Sequence, residues 1–301
     1  MREKIANLVV FLIGRTLYFF PRKIHMFLGK LIGDIAFYLI VKRRRLGLFN
    51  VRMVLGDSID FKEARRIVKN TYRNLGKMAI EFFLMPFYKK EEIGKLIHGV
   101  EGIKLFDEIL AEGNGVILHT AHFGDWEILG AYLGLSGYPL YAFNRKQKGI
   151  FGKIVDEHRK KVGMRLTYKN SALAGARKAL REGGIIGILA DQGGNIRGEL
   201  FGHKTLLPQG AAAFALKFGV PVLPCFLVRK EDDTYQLYIG PVIRLPHKKK
   251  HTHEYRQETV QELLKIVEDM IIMFPDQWFW LQRFWIGCSP GTNFQKHVKI
   301  V

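Results

Sequence analysis

Cysteine is nearly absent from this 301-residue chain, which has only Cys225 and Cys288. That excludes a disulfide scaffold, fits a reducing compartment, and leaves no zinc-ribbon spacing. Long hydrophobic runs are also missing. The apolar stretch over residues 5–20 is interrupted by Arg15 and ended by Pro21-Arg-Lys23, and the one over residues 24–41 contains Lys30 and Asp34. Neither is an uninterrupted span of ~20 apolar residues. A basic start with an apolar centre admits a signal peptide, but no small-residue cleavage site follows, so a retained segment is the expectation. Internal repeats, low-complexity tracts and Gly/Ser linkers are lacking, which argues for one catalytic domain. Acidic residues are scarce, 28 against 47 Lys and Arg, for a net charge of +19. Such a field favours an anionic partner: nucleic acid, an acidic membrane or a phosphorylated substrate. With no helix-turn-helix, RNA-recognition or zinc-finger signature, nucleic acid is not expected.

Hydrophobic residues make up 48% of the chain, enough for a sizeable core. Residues 1–45 read as a helical membrane anchor: a first segment entering or lying on the bilayer, then an amphipathic helix against membrane or domain. A pair of ordinary buried helices is the competing reading. The cluster Lys42-Arg-Arg-Arg45 suits a cytoplasmic headgroup zone. Lys160-Lys161 and Lys248-Lys-Lys250 are further basic clusters, each also explicable as solvated surface. Residues 46–301 form the second unit. Residues 62–85 carry a helical stripe ending in Phe82-Phe-Leu-Met-Pro-Phe87, which could line an apolar groove or pack the core. Beyond residue 100, β-type runs at Gly115–His119, Pro139–Phe143, Ile185–Ala190, Val220–Val228 and Tyr235–Ile239 alternate with helical patterns at 103–112, 126–136, 150–162, 171–182 and 210–218. The last helix is His253–Phe274. This alternation predicts an α/β fold, a layered mixed sheet flanked by helices.

The chain is organised around His119-Thr-Ala-His122-Phe-Gly-Asp125-Trp-Glu127, which follows one such strand and opens a helix. Ligands in open α/β sheets bind outside the carboxyl ends of strands. Acidic residues suit a first helical turn. A His oriented by a carboxylate is a general base for a hydroxyl group, and a turn in the chain could bring His122 and Glu127 together. Alternatively, His122 caps the helix and Glu127 pairs with an Arg, His119 is packed, and Asp125 is an N-cap. A metal set of His119, His122 and Asp125 or Glu127 is another reading, without a third His or Cys at a recognised spacing. Asn144-Arg145 ends the next strand at the same sheet edge, where an Arg can grip a phosphate or carboxylate as a fork.

His122-Phe-Gly-Asp-Trp-Glu127 resembles the H-x4-D/E motif of the glycerolipid acyltransferase superfamily. The surrounding sequence, as far as Trp285, is similar to the bacterial lipid A late acyltransferases, the lauroyl and myristoyl transferases. By that resemblance His122 deprotonates an acceptor hydroxyl, Glu127 orients and charges it, and the hydroxyl attacks an acyl thioester. The family has an Arg at the place of Arg145 and commonly one at that of Arg159. Asp191-Gln192 looks like its Asp-Gln element, able to orient Arg145 or a substrate hydroxyl; a turn-forming Asp is the alternative. Gly210 matches the glycine before a small-residue helix whose N–H groups could bind a phosphate or an oxyanion. Pro275-Asp-Gln-Trp278-Phe-Trp280-Leu-Gln282-Arg283-Phe-Trp285 resembles the family's C-terminal aromatic segment, with Gln282 where a His usually stands. The resemblance implies an inner-membrane enzyme facing the cytoplasm, with acyl carrier protein delivering the acyl thioester, a phosphorylated glucosamine lipid (a lipid A precursor) as acceptor, and no metal or cofactor. Acyl-coenzyme A-dependent acylation of a mannosylated phosphoinositide or another glycolipid remains open, as do a metal-dependent hydrolase and a non-catalytic membrane adaptor.

Overall fold

The computed structural model describes residues 2–144, 149–246 and 252–288; Arg145 and the Lys248–Lys250 cluster lie outside the described residues. The chain begins with four helices, α1 (Arg2–Tyr18), α2 (Arg22–Leu39), α3 (Val41–Leu55) and α4 (Phe61–Leu84). Pro21 opens α2, and the Asp60 carboxylate caps α4 by accepting from Glu63 N at 2.6 Å. Helix α2 crosses α4 on glycines: a Cβ at Gly76 would stand 2.1 Å from the Gly29 carbonyl oxygen. Asp34, an interruption in the apolar run, bonds Arg73 on α4 at 2.7 and 3.1 Å. One face of α2 is therefore committed to the body of the protein, while Phe27, Leu31, Ile35 and Leu39 remain exposed. Among the described residues no single helix is long and apolar enough to cross a membrane. Arg44 and Arg45 lie on α3, whose Leu46, Phe49 and Val51 enter the core.

Strands and helices then alternate: α5 (Lys90–Gly94), β1 (Ile97–His98), α6 (Lys104–Ala111), β2 (Val116–Thr120), α7 (Trp126–Leu135), β3 (Leu140–Asn144), α8 (Gly149–Lys161), β4 (Arg165–Tyr168), α9 (Ala172–Arg181), β5 (Ile185–Leu189), β6 (Ile196–Leu200), β7 (His203–Leu207), α10 (Gly210–Phe218), β8 (Val222–Arg229), β9 (Tyr235–Ile239) and α11 (His253–Met273). The seven-stranded sheet runs β1-β9-β8-β2-β5-β3-β4, and β6-β7 form a separate antiparallel hairpin. Strands β8, β2, β5, β3 and β4 are parallel, while β9 runs antiparallel to β8. The expected α/β sheet is present, and all five expected strands belong to it. Short β1, β4 and the β6–β7 hairpin were not foreseen, because none is a continuous apolar run. Strand β2 shows why the sheet is buried on both faces: Ile117 packs into one hydrophobic cluster, and Val116 and Leu118 into the other. Parallel sheets covered on both sides need such runs.

Candidate active site

The parallel pairing of β2 with β5 builds the centre. Thr120 is in register with Leu189, and Ala190 N donates to Thr120 O at 2.8 Å. Two residues past each strand, His122 and Asp191 therefore emerge side by side. Asp191 Oδ1 accepts from His122 Nδ1 at 2.8 Å and from His122 N at 3.1 Å. Its Oδ2 accepts from Trp278 Nε1 at 2.9 Å, with Gln192 Nε2 at 3.4 Å. The Asp191 carboxylate is buried, yet its contacts with His122 outweigh that burial and hold its pKa below the usual Asp value. Burial works against a charged His122 ring, but Asp191, with help from Glu127, holds its pKa above 6.5. With Nδ1–H committed to Asp191, Nε2 carries the lone pair.

The partner expected for His122 was Glu127, and here the structure differs. Glu127 stands in the first turn of α7 and faces α8, where Arg159 Nε reaches its Oε2 at 3.0 Å and Arg159 Nη2 bonds its Oε1. His122 itself precedes α7, in the loop after β2. The Glu127 charge still reaches His122 through space. Arg159, expected to hold substrate, is engaged as the other half of this mostly buried fork. Asp191 is buried and faces His122. Gly210 begins α10, where a Cβ would pack on Ile188 at 3.6 Å. Asn144 ends β3 with its Nδ2 buried and unpartnered. Arg145 lies outside the described residues.

The residues weighed as a metal set point apart. His119 is buried and its Nε2–H donates to Leu263 O at 2.9 Å; burial pushes its pKa down to about 4. Asp125 caps α7, accepting from Ile128 N at 3.0 Å, while its Oδ2 accepts from Arg229 Nη2 at 2.9 Å and lies 3.2 Å from the Tyr235 oxygen. Gly124, between His122 and Asp125, has φ of +59°. A Cβ there would fall 1.8 Å from Leu227 O, so only glycine lets the His loop lie on β8.

Behind Asp125 is a buried charged network that the sequence reading missed. Arg229 bonds Glu81 on α4, Tyr235 OH donates to Glu81 Oε1 at 2.5 Å, and Arg22 of α2 reaches Glu81 Oε1 at 2.8 Å. Burial opposes charge on Glu81, but the two guanidiniums hold its pKa down, while burial and the Glu81 charge push that of Asp125 up. One available signal was Arg229 itself, a charge ending an apolar strand at the same sheet edge. Truncating one partner of a buried pair leaves an uncompensated charge, typically costing about 3–5 kcal/mol. Arg229→Met should lower unfolding stability by that amount in chemical denaturation. A loss under ~1 kcal/mol, the range of surface pairs, would contradict this account.

The C-terminal segment closes the site. Phe279 N donates to His122 O at 3.0 Å, Gly124 N donates to Gln277 O at 2.9 Å, and Trp278 is fully buried. The His122 ring sits near Trp126, at 5.2 Å edge-on, and near Phe279 at 6.4 Å. Trp126 borders two cavities. One is a void of about 10 Å³, room for little more than a water, lined by His122, Thr71, Leu75, Gln277 and Phe279 among others. The other is a largely apolar slot between α7 and the sheet, lined by Leu129, Leu140, Phe143, Met164 and Leu189, with Glu127, Arg159 and Asn144 among its polar groups. The arrangement can take a proton at Nε2 and orient the ring through Asp191, and an apolar slot of about 60 Å³ opens on the other side of Trp126.

The family profile described as bacterial lipid A biosynthesis acyltransferase matches residues 2–286. The chain is 23% identical over 270 residues to the lipid A biosynthesis palmitoleoyltransferase of Escherichia coli (strain K12), covering 87% of this chain and 85% of that protein. The lipid A biosynthesis acyltransferase of Shigella flexneri matches to the same extent. The lipid A biosynthesis lauroyltransferase of Escherichia coli (strain K12) is 22% identical over 262 residues, covering 85% and 83%.

Proposed function

The chain belongs to the bacterial lipid A biosynthesis acyltransferase family, and on that premise we propose that it moves a fatty acyl group from an acyl carrier protein thioester to a hydroxyl of a lipid A precursor. The protein is an O-acyltransferase of lipid A biosynthesis. The observation that carries the mechanistic reading is the His122–Asp191 pair at 2.8 Å, with Trp126 between the His122 ring and the apolar slot. His122 Nε2 takes the proton of the acceptor hydroxyl as its oxygen attacks the thioester carbonyl, and Asp191 holds the ring in the required tautomer. The carbonyl carbon gains an oxygen bond and loses the sulfur, which leaves as thiolate and takes up the proton. The fatty chain lies in the slot between α7 and the sheet. The unpartnered Asn144 amide lines that slot and suits the carbonyl oxygen as charge develops on it. The Glu127–Arg159 fork forms the polar wall where the chain meets the reacting carbonyl. Excess positive charge and the exposed apolar face of α2 support attachment to the cytoplasmic face of an anionic inner membrane, where the phosphorylated glycolipid would be met. The chemistry needs no metal or cofactor besides the thioester co-substrate.

Lipid mass spectrometry of cells with and without the chain should show one additional acyl chain on a lipid A species. Purified protein should transfer label from acyl carrier protein faster than from acyl-coenzyme A. An unchanged lipid A profile, with a mass change in another glycolipid, would overturn the acceptor assignment; a coenzyme A preference would overturn the donor.

A further inference from the structure

A second apolar void lies on the far side of α8 from the reactive slot. It is a groove of about 260 Å³ between α1, the turn at Pro86-Phe87 and α8. That volume falls just under the ~300 Å³ lower end of small-molecule sites, a size suited to a slender ligand. Phe11 and Phe87 face each other at 5.4 Å between ring centroids, and Ile154 lies on the α8 side. His158 is part of the wall. Its Nδ1–H donates to Phe82 O at 3.1 Å, its ring stacks on Phe82 at 5.1 Å, and burial pushes its pKa below the ordinary value. Burial thus disfavours charge on the His158 part of the wall. Charge stays with Lys161, whose ammonium sits 5.6 Å from the Phe11 ring centroid, and Glu157, which accepts from Asn7 Nδ2 at 3.2 Å.

Two observations say what covers this groove. Leu8 and Phe11 line it and are also 56% and 44% exposed, as part of the apolar surface continued by Leu12, Phe19 and Phe20. The groove thus runs into the surface that lipid would touch. The Asn7 amide oxygen, also lining the groove, is buried without a partner. A buried acceptor without a donor costs ~1–3 kcal/mol, and an N–H or O–H at the head of a fatty chain would satisfy it. Helix α8 separates the two voids: His158 lines the groove, and its neighbour Arg159 lines the reactive slot.

We propose that the α1–α8 groove seats a fatty chain already carried by the lipid acceptor, while the slot beyond α8 takes the chain being transferred. This rests on the acyltransferase reading above. Chain binding in the groove brings the acceptor to the protein without touching the reacting atoms, so blocking it should change acceptor affinity and leave turnover alone. Val10→Trp fills the groove from α1, where Val10 is half-buried, and Ile154→Trp fills it from α8. With acyl carrier protein as donor in mixed micelles, both full-length variants should raise KM for the lipid acceptor about tenfold or more, the scale of a misfitted apolar pocket. Saturating kcat and the KM for the donor should stay near wild type, and melting curves would identify a variant that fails to fold. A photoactivatable diazirine on an acceptor fatty chain should label peptides containing residues 7–11 and 154–161 in the wild type, and less in the variants. Labelling confined to residues 126–130 and 140–143, or an unchanged acceptor KM in both folded variants, would overturn the proposal. Labelling of the groove in a wild-type protein that transfers no acyl group would support the groove while refuting the acyltransferase mechanism.

Discussion

His122→Ala is expected to lower acyl-transfer turnover by about 10²–10⁴-fold, the usual contribution of a general base. An alcohol is a poor nucleophile at neutral pH until its proton is taken, and His122 is the imidazole whose Nδ1 is held by a buried carboxylate at the carboxyl ends of β2 and β5. Its side chain is 28% exposed, but removing it leaves the buried Asp191 carboxylate without its ring partner, so some folding stability should be lost and turnover is read on the folded fraction. The pH profile carries a separate sign. Burial opposes the charged ring, but Asp191 outweighs it, so the proton is held to a higher pH than the ordinary 6.5. The base is active only when neutral. Wild-type kcat/KM should therefore rise with pH through an acid limb centred above 6.5, and the residual rate of the alanine variant should lack that limb. The measurement is transfer from labelled acyl carrier protein across pH, beside melting curves. Retention of more than about a tenth of wild-type turnover, below the smallest loss for a missing base, would sink the mechanism.

Asp191→Asn should be nearly as damaging, by on the order of 10²-fold or more, because the tautomer is lost rather than the ring. Asp191 accepts on both oxygens, from two His122 nitrogens and from Trp278 Nε1. An asparagine offers one acceptor and one donor, so one contact becomes donor against donor whichever way the amide is turned. Removing the negative charge also lowers the pKa of His122, and the acid limb should move to lower pH. Glu127→Gln should behave differently. It leaves the Arg159 guanidinium poorly compensated, so the loss should appear first as reduced stability, approaching about 3–5 kcal/mol for a broken buried pair. A smaller shift of the acid limb should accompany it, since the Glu127 charge is felt at His122 without a hydrogen bond. If Asp191→Asn stayed within tenfold of wild type while a stably folded Glu127→Gln were inactive with a displaced acid limb, Glu127 would be the residue that directs the base.

The sequence by itself determined the α/β class, because buried parallel strands such as Val116–Thr120 and Val222–Arg229 are continuous apolar runs bounded by helical patterns. It also located the His122 loop, since a His at a strand end opening a helix is a local pattern, and it marked Asp125 as a possible N-cap. What it could not determine was who faces whom. Asp191 lies 69 positions from His122 and reaches it because β5 pairs with β2 in a register set by the whole sheet. Trp278 is 87 positions from the carboxylate it holds, and Arg229 is 104 from the Asp125 that it pairs with. Glu127, the near neighbour in sequence, was carried away by the turn of its own helix toward Arg159 on α8. Helical and strand periods are local and legible in a short window. Side-chain partners across parallel strands depend on strand order and register, and packing over the whole domain decides those.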